Sequence, residues 1–316
     1  MTYSYDVKEE LCHLKIPSKI QALLELSALA GFNAVVALTS YGSQLRFFSE
    51  HPDVIRRITS LVYLLYKEEL SIVVQESGHL QLKPTYLTQF GDPILKRFLE
   101  DSGFDLMGGV VEAREDILSR LTNAQNAKAY LRGAFLAAGS IVDPDKSYHL
   151  ELLVSRTNQA ELFRYVARVQ GLDFKETERK DETVFYMKNS EAISDFLVDI
   201  GATNAMLRLE DAKVLKAMAN SINRRANAET ANFDKQVEAS AKQVHAINII
   251  AKTVGLESLD TPLRQLAQAR LKDPGMSLKE LGEGLHPKLG KSGVNHRMKK
   301  IMKIAQDLEE NGELKK

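Results

Sequence analysis

The sequence predicts an α+β domain duplicated about a pseudo-twofold axis, followed by an all-α helix-turn-helix domain. Three features of the 316-residue chain lead there. One order of helix and strand signals is written twice over the first two hundred residues. The opening helix of each copy runs into a glycine, Gly31 and Gly139, of the kind that closes helices. After Gly201 the strand signal stops, and only helical periodicity continues to the C-terminal end.

In the first copy an apolar helix over Ser18 to Gly31 leads into alternating segments at Ala34–Thr39 and Gln44–Phe48. A helix from Pro52 to Glu69, strands at Ser71–Gln75 and Thr85–Phe90, and a helix from Pro93 to Ser102 complete it. The second copy has a helix over Asn126 to Gly139, a strand at His149–Val154 and a helix from Asn158 to Gln170. It ends with strands at Phe174–Arg179 and Thr183–Lys188 and a helix from Glu191 to Ile200. Thr183-Val184-Phe185-Tyr186-Met187 alternates as a half-buried strand does. Leu162, Tyr165, Val166 and Val169 recur with helical spacing. Two long helices are expected next, over Ala205–Arg225 and Phe233–Val254. Val237, Ala241, Val244, Ile247, Ala251 and Val254 form the apolar face of the second. Gly255 closes it, and Thr261-Pro262 opens another helix running to Lys272. The resulting division is 1–103 for the first repeat, 104–125 for a linker and 126–202 for the second repeat. A helical, Asn-rich linker follows over 203–232, with its core at Asn220 to Asn232, and then the helix-turn-helix domain over 233–316.

Composition bounds the function. With 44% hydrophobic and 27% charged residues the chain reads as soluble and globular. The longest apolar run, Leu61 to Tyr66, is broken by Lys67-Glu68-Glu69, so no membrane partner is expected. Met1 to Glu10 lacks the basic start and apolar run of a signal peptide, and a cytoplasmic location follows. The single cysteine, Cys12, excludes an internal disulfide and a cysteine-based zinc site. With nothing nearby to activate it, it reads as a structural thiol. Charge is zero overall but uneven. From Ser221 to Lys316 there are 17 Lys and Arg against 12 Asp and Glu, a net of +5; the first 220 residues carry 25 against 30, a net of −5. Such asymmetry points to nucleic-acid contact through the basic part.

The C-terminal segment has the most consistent local signals. Pro274-Gly275 is a turn, and Ser277-Leu278-Lys279-Glu280 fits a capping box, with Met276 and Leu281 at hydrophobic-staple positions. A turn over His286-Pro287-Lys288-Leu289-Gly290 follows, longer than the usual three to four residues. Ser292 is the expected N-cap of a second helix, which carries Val294, Met298, Ile301, Ala305 and Leu308 inward. Asn295, His296, Arg297, Lys299, Lys300 and Lys303 are its outward positions. Between His286 and Gln306 there are six Lys and Arg and no acid, a stretch attracted to phosphate whatever the base sequence. Arg and Lys donate to guanine, and Asn pairs with adenine. The expected double-stranded-DNA contacts are Ser277, Lys288, Lys291, Ser292, Gly293, Asn295, His296, Arg297, Lys299, Lys300 and Lys303. Asn295, Arg297 and Lys299 are the expected base readers, and Lys288 and Lys303 the phosphate holders. His286 and His296 have no partner Cys or paired His-x₃-His, so no metal centre and no cofactor are expected.

The opening helices of the two repeats resemble the LAGLIDADG motif of homing endonucleases. In those enzymes two helices pack side by side through small residues, and each presents an acid, just before the terminal glycine, to a divalent metal. Here the copies read Leu23-Leu24-Glu25-Leu26-Ser27-Ala28-Leu29-Ala30-Gly31 and Leu131-Arg132-Gly133-Ala134-Phe135-Leu136-Ala137-Ala138-Gly139. The acid position is Ala30 in one and Ala138 in the other, and two-metal hydrolysis needs carboxylates to hold the ions. Asp143 and Asp145, just past the second helix, read as turn residues. No catalytic residue is therefore expected. Duplicated degenerate helices followed by a helix-turn-helix resemble the WhiA family of Gram-positive bacteria. The likeness is carried by Tyr130 to Ser140, Ser147 to Glu151, Asn223 to Asn232, Ser277 to Gly282 and Lys291 to Arg297. Family members often show Gly where this chain has Ala138, and Cys where it has Ala228. The resemblance implies a DNA-binding regulator, of sporulation genes in spore formers and linked to cell division and chromosome segregation elsewhere.

Three functional readings remain at this point. The first is a nucleoid-associated, sequence-specific DNA-binding regulator that is not an enzyme. A second is a nucleoid interaction protein whose scaffold binds a protein partner while the C-terminal domain only anchors it to DNA. The third, an active homing endonuclease, calls for a basic sheet and acidic helix ends, against the net −5 and the two alanines found.

Overall fold

The structure, a computed structural model, describes residues 2–40, 42–75, 84–107, 110–113, 115–180 and 182–313. Its elements form two compact units, Met1–Lys216 and Ala217–Lys316.

The first unit opens with α1 (Tyr3–Cys12). The first repeat then runs α2 (Lys19–Asn33), β1 (Val35–Thr39), β2 (Gly42–Ser49), α3 (Pro52–Tyr66), β3 (Val73–Gln75), β4 (Thr85–Gly91) and α4 (Ile94–Ser102). The second repeat runs α6 (Ala124–Ala138), β7 (Gly139–Ile141), β8 (Leu150–Val154), α7 (Thr157–Val169), β9 (Lys175–Arg179), β10 (Glu182–Met187) and α8 (Ser190–Ile200). The sheets have the same order, β1-β2-β4-β3 and β7-β8-β10-β9, with every neighbour antiparallel. Aromatic clusters fill both halves. Phe90 lies 5.7 Å from Phe47 and 5.9 Å from Phe98. In the second half Phe163 lies 4.7 Å from Phe185 and Phe174 lies 5.4 Å from Phe196. Edge-to-face and tilted pairs at these separations add to the hydrophobic gain of burial. The duplicated α+β reading is thus the observed fold.

Several local expectations change. The segment 104–125, read as a linker, holds a hairpin, β5 (Phe104–Met107) and β6 (Val110–Ala113), and α5 (Glu115–Leu121). The cue was a Gly-Gly dipeptide between two short apolar runs. Strand β7 and helix α1 were also missed; β7 is short and follows its helix without a turn signal. Gly31 does not end its helix, which continues to Asn33. It sits against the Gln159 side chain, where a Cβ would collide, so its role is close packing.

The two long helices expected after Gly201 are one, α9 (Thr203–Thr253), 51 residues long. The Asn-rich stretch does not interrupt it. It contains neither Gly nor Pro, its alanines offset the weak propensity of Asn, and Arg225 pairs with Glu229 one turn on at 3.0 Å. After a short 3₁₀ turn (Leu256–Ser258) come α10 (Thr261–Lys272), α11 (Leu278–Glu283) and α12 (Lys291–Glu313). The second unit has its own core, built from Ala246, Ile247 and Ile250 of α9, Leu263, Leu266 and Ala267 of α10, Leu281 of α11, and Val294, Met298, Ile301 and Ala305 of α12. The α9 face that enters this core is Ser240, Gln243, Ala246, Ile247 and Ile250, whereas Val237, Ala241, Ala251 and Val254 are exposed. The expected stripe shares only Ile247 with it, because a polar pair, Ser240 and Gln243, occupies inward positions that a hydrophobic count passes over.

Candidate nucleic-acid interface

The second unit is a helix-turn-helix domain, and its local geometry follows from the sequence signals. Ser277 caps α11: its hydroxyl accepts the Glu280 amide at 3.3 Å, and the Glu280 carboxylate accepts the Ser277 amide at 2.7 Å. Those hydrogen bonds hold the Glu280 carboxyl below its ordinary range. Gly282 lets the turn close. Its carbonyl accepts the Leu289 amide at 2.9 Å, and a Cβ there would run into the Leu289 carbonyl and come within 2.9 Å of Val294. The Val294 amide donates to the Gly290 carbonyl at 3.0 Å, so Gly290 occupies the capping position of α12. Ser292, expected as the N-cap, lies instead inside the first turn.

With Val294, Met298, Ile301 and Ala305 buried, the opposite face of α12 is fixed at about 100° per residue. Its centre line is Ser292, His296, Lys299 and Lys303, all exposed, flanked by Asn295 and Lys300, also exposed. Arg297 is half-buried on the shoulder beside the core, which makes it a less direct outward residue than the sequence suggested. Gly293 rests against the Leu289 side chain, 2.7 Å from the position of a Cβ, and so serves packing. Lys288 is exposed in the connecting turn and Lys291 at the start of α12. Of the sequence-predicted residues, Ser292, Asn295, His296, Lys299, Lys300 and Lys303 therefore share one face of α12, while Lys291 lies on the shoulder nearer the core. Up to Lys303, a helix with one buried stripe and an opposite face that carries Lys and no acid can lie along a polyanion while leaving its polar side chains free to meet base edges; Asp307 and Glu310 end that face.

The first unit shows what became of the helix pair. α2 and α6 cross at Glu25 and Gly133, equivalent positions of the two copies, and a Cβ on Gly133 would run into the Glu25 carbonyl. Glu25 is wholly buried between two guanidiniums. Arg57 of α3 donates to it at 2.7 and 3.0 Å, and Arg132 of α6 at 2.9 Å. Further bonds run from Arg57 to the Cys12 and Leu14 carbonyls and from Arg132 to the Ile200 carbonyl at 3.1 Å. Both helix ends are also occupied by cations. Arg156 donates to the carbonyls of Gly31 and Ala34 at 3.0 and 2.8 Å, and the Lys8 ammonium to that of Leu136 at 3.1 Å. Positive groups are favoured at helix C-termini, where unpaired carbonyls gather. Burial opposes this for Lys8, pushing its ammonium down to about 8. None of Glu25, Arg57, Arg132, Lys8 and Arg156 was singled out from the sequence; the one available signal was an acid inside an otherwise apolar helix.

Among the described residues no group of three or more His, Cys, Asp or Glu could hold a metal ion, and no helix is long and apolar enough to cross a membrane. Asp143 accepts the Asp145 amide at 3.0 Å in a turn, and burial pushes the Cys12 thiol up to about 12.

Comparison with known proteins adds three findings. The model of the WhiA C-terminal HTH domain matches residues 222–305, and that of the WhiA LAGLIDADG-like domain matches residues 127–219. A protein named probable cell division protein WhiA from Desulfitobacterium hafniense (strain Y51) is 39% identical over 315 residues, covering 98% of this chain and 97% of the relative. One of the same name from Clostridium acetobutylicum is 36% identical over 316 residues, covering 99% and 100%. The crystal structure of full-length DUF199/WhiA from Thermatoga maritima aligns with a TM-score of 0.60 at 24% identity, over 97% of this chain and 99% of that one, a likeness of fold.

Proposed function

The chain belongs to the WhiA family, and from that premise we propose that it is a double-stranded-DNA-binding regulator that reads DNA with α12. The observation that carries this is the exposed face of α12, where Ser292, Asn295, His296, Lys299, Lys300 and Lys303 lie together without an acid among them. The name its relatives carry, probable cell division protein WhiA, adds a link to cell division. Control of transcription, a part in chromosome segregation and, in a spore former, in sporulation complete the reading, with the protein cytoplasmic and on the nucleoid. The scaffold is a non-enzymatic platform in this proposal. Alanines occupy the positions where the resembled enzymes carry their acids, and Lys8 and Arg156 donate to last-turn carbonyls of the same helices.

One feature favours a second reading, in which the domain chiefly anchors a protein-binding scaffold to DNA. The centre line of the face is rich in Lys, a point charge suited to phosphate, while its one Arg lies on the shoulder. A salt titration on specific and scrambled duplexes separates the two. Asn295→Ala is expected to cost about 1–3 kcal/mol on the preferred site and much less on random sequence. Lys303→Ala and Lys288→Ala weaken both alike and flatten the log–log salt slope by about 0.9 per lost contact. An unchanged specificity ratio for Asn295→Ala, Lys299→Ala and Arg297→Ala alike assigns the protein to anchoring.

A further inference from the structure

Away from the outward face of α12, the second unit holds a cleft of about 580 Å³. α9 supplies Lys235, Gln236, Ser240 and Gln243 to it, α10 supplies Arg270, and the starts of α11 and α12 supply Lys279 and Lys291. Four cations line it and no carboxylate does.

Its floor is built around two buried polar side chains. Arg270 is 2% exposed and Gln243 6% exposed. One guanidinium nitrogen of Arg270 is used, donating to the Pro274 and Met276 carbonyls at 3.1 and 2.5 Å and so fixing the group in place. Its Nε has no partner, and neither has the Gln243 amide oxygen. A buried polar atom left unpaired is costly, and these two belong to side chains that line one cleft, where a hydrogen-bonding occupant would offset that cost. An amide turned by half a rotation presents N–H groups in place of its oxygen, so Gln243 can donate beside Arg270. The walls are braced. Ser240 donates to the Pro274 carbonyl at 2.5 Å and Gln236 to the Gly275 carbonyl at 3.2 Å, tying the α10–α11 turn to α9.

A guanidinium held in place, an amide, exposed ammonium groups and no competing acid make a receptor for a polyvalent oxyanion. We propose that this cleft binds a phosphate group, carried either by a free phosphorylated molecule of nucleotide size or by the DNA backbone. The volume suits the former, since small-molecule sites span roughly 300–1,000 Å³. Only the backbone alternative rests on the DNA-binding reading above. If the ligand is free, the cleft couples it to α12 through Lys291, which lies at the start of that helix.

The test uses the full-length chain with pyrophosphate, ADP, adenosine and a duplex as probes, read by calorimetry and by the Arg270 Nε–H resonance after ¹⁵N-arginine labelling. Saturable binding of pyrophosphate and ADP but not adenosine, with the Arg270 signal shifted, establishes a free phosphate ligand. Gln243→Glu, near-isosteric but anionic, and the surface pair Lys235→Gln/Lys279→Gln should each weaken ADP at least ten-fold; the surface pair serves if Gln243→Glu fails to fold. A shift of the Arg270 signal by duplex alone, with a salt slope flattened in Lys235→Gln/Lys279→Gln, establishes a backbone phosphate. ADP binding in a protein that ignores duplex DNA sustains the cleft and removes the DNA reading. An Arg270 signal unmoved by all four probes, or ADP affinity unchanged in both variants, overturns the proposal.

Discussion

Glu25 shows how a single side chain can be visible in a sequence while its role is not. An acid among Leu23, Leu24, Leu26 and Leu29 announces that something must neutralise it, but its partners lie 32 and 107 residues away. No spacing rule connects them. The alanines at positions 30 and 138 were legible only against the motif that these helices resemble; the cations at the helix ends were not, because Lys8 and Arg156 come from other elements. The buried triad makes a sharp prediction. Glu25→Gln leaves two guanidiniums facing each other without a counter-charge, and loss of one partner from a buried pair costs about 3–5 kcal/mol. Denaturant unfolding followed by a probe in the first unit should show that loss. A change under about 1 kcal/mol, the range of a surface pair, would mean that the triad is solvated in solution.

At the scale of elements, most helices and strands of the two repeats were readable to within a residue or two, although α3 ends at Tyr66, three residues before the expected Glu69. The capping box at Ser277 and Glu280 is the clearest case, because both of its hydrogen bonds lie within one turn. The apolar face of the C-terminal part of α9 was misplaced because Ser240 and Gln243 point inward, where tertiary hydrogen bonding overrides hydropathy. Glu280 supports a pH prediction. Its carboxyl is held below its ordinary value, so the stabilisation from the box is complete above the ordinary carboxylate range and is lost as pH falls through the lowered value. Thermal melts of the protein and of Glu280→Ala should differ at pH 7 and converge in acid. A gap that persists at the acid end would place the effect elsewhere. Gly282→Ala tests the turn itself: with the Leu289 backbone in the way, the second unit should melt earlier while the first is unchanged.

Across the whole molecule, the duplication and the change to an all-helical second unit were both legible, since each is a matter of period and order. The continuity of α9 was not, because a run of Asn lowers helix propensity without forbidding a helix. Charge divides with the units, and this suggests a division of labour. Ala217–Lys316, with its own core, is expected to bind duplex DNA as a separate fragment, and Met1–Lys216 far more weakly, in a gel-shift assay at physiological salt. Equal binding by the two would make the first unit a second DNA surface.

The cations at the ends of α2 and α6 also bear on what acids placed there would meet. A carboxylate at position 30 or 138 would arise in a turn whose carbonyls already accept from Arg156 or Lys8, within a positive field set by the protein itself. A metal ion at these helix ends would have to enter against that field, so charge, as much as the two alanines, is set against metal binding there.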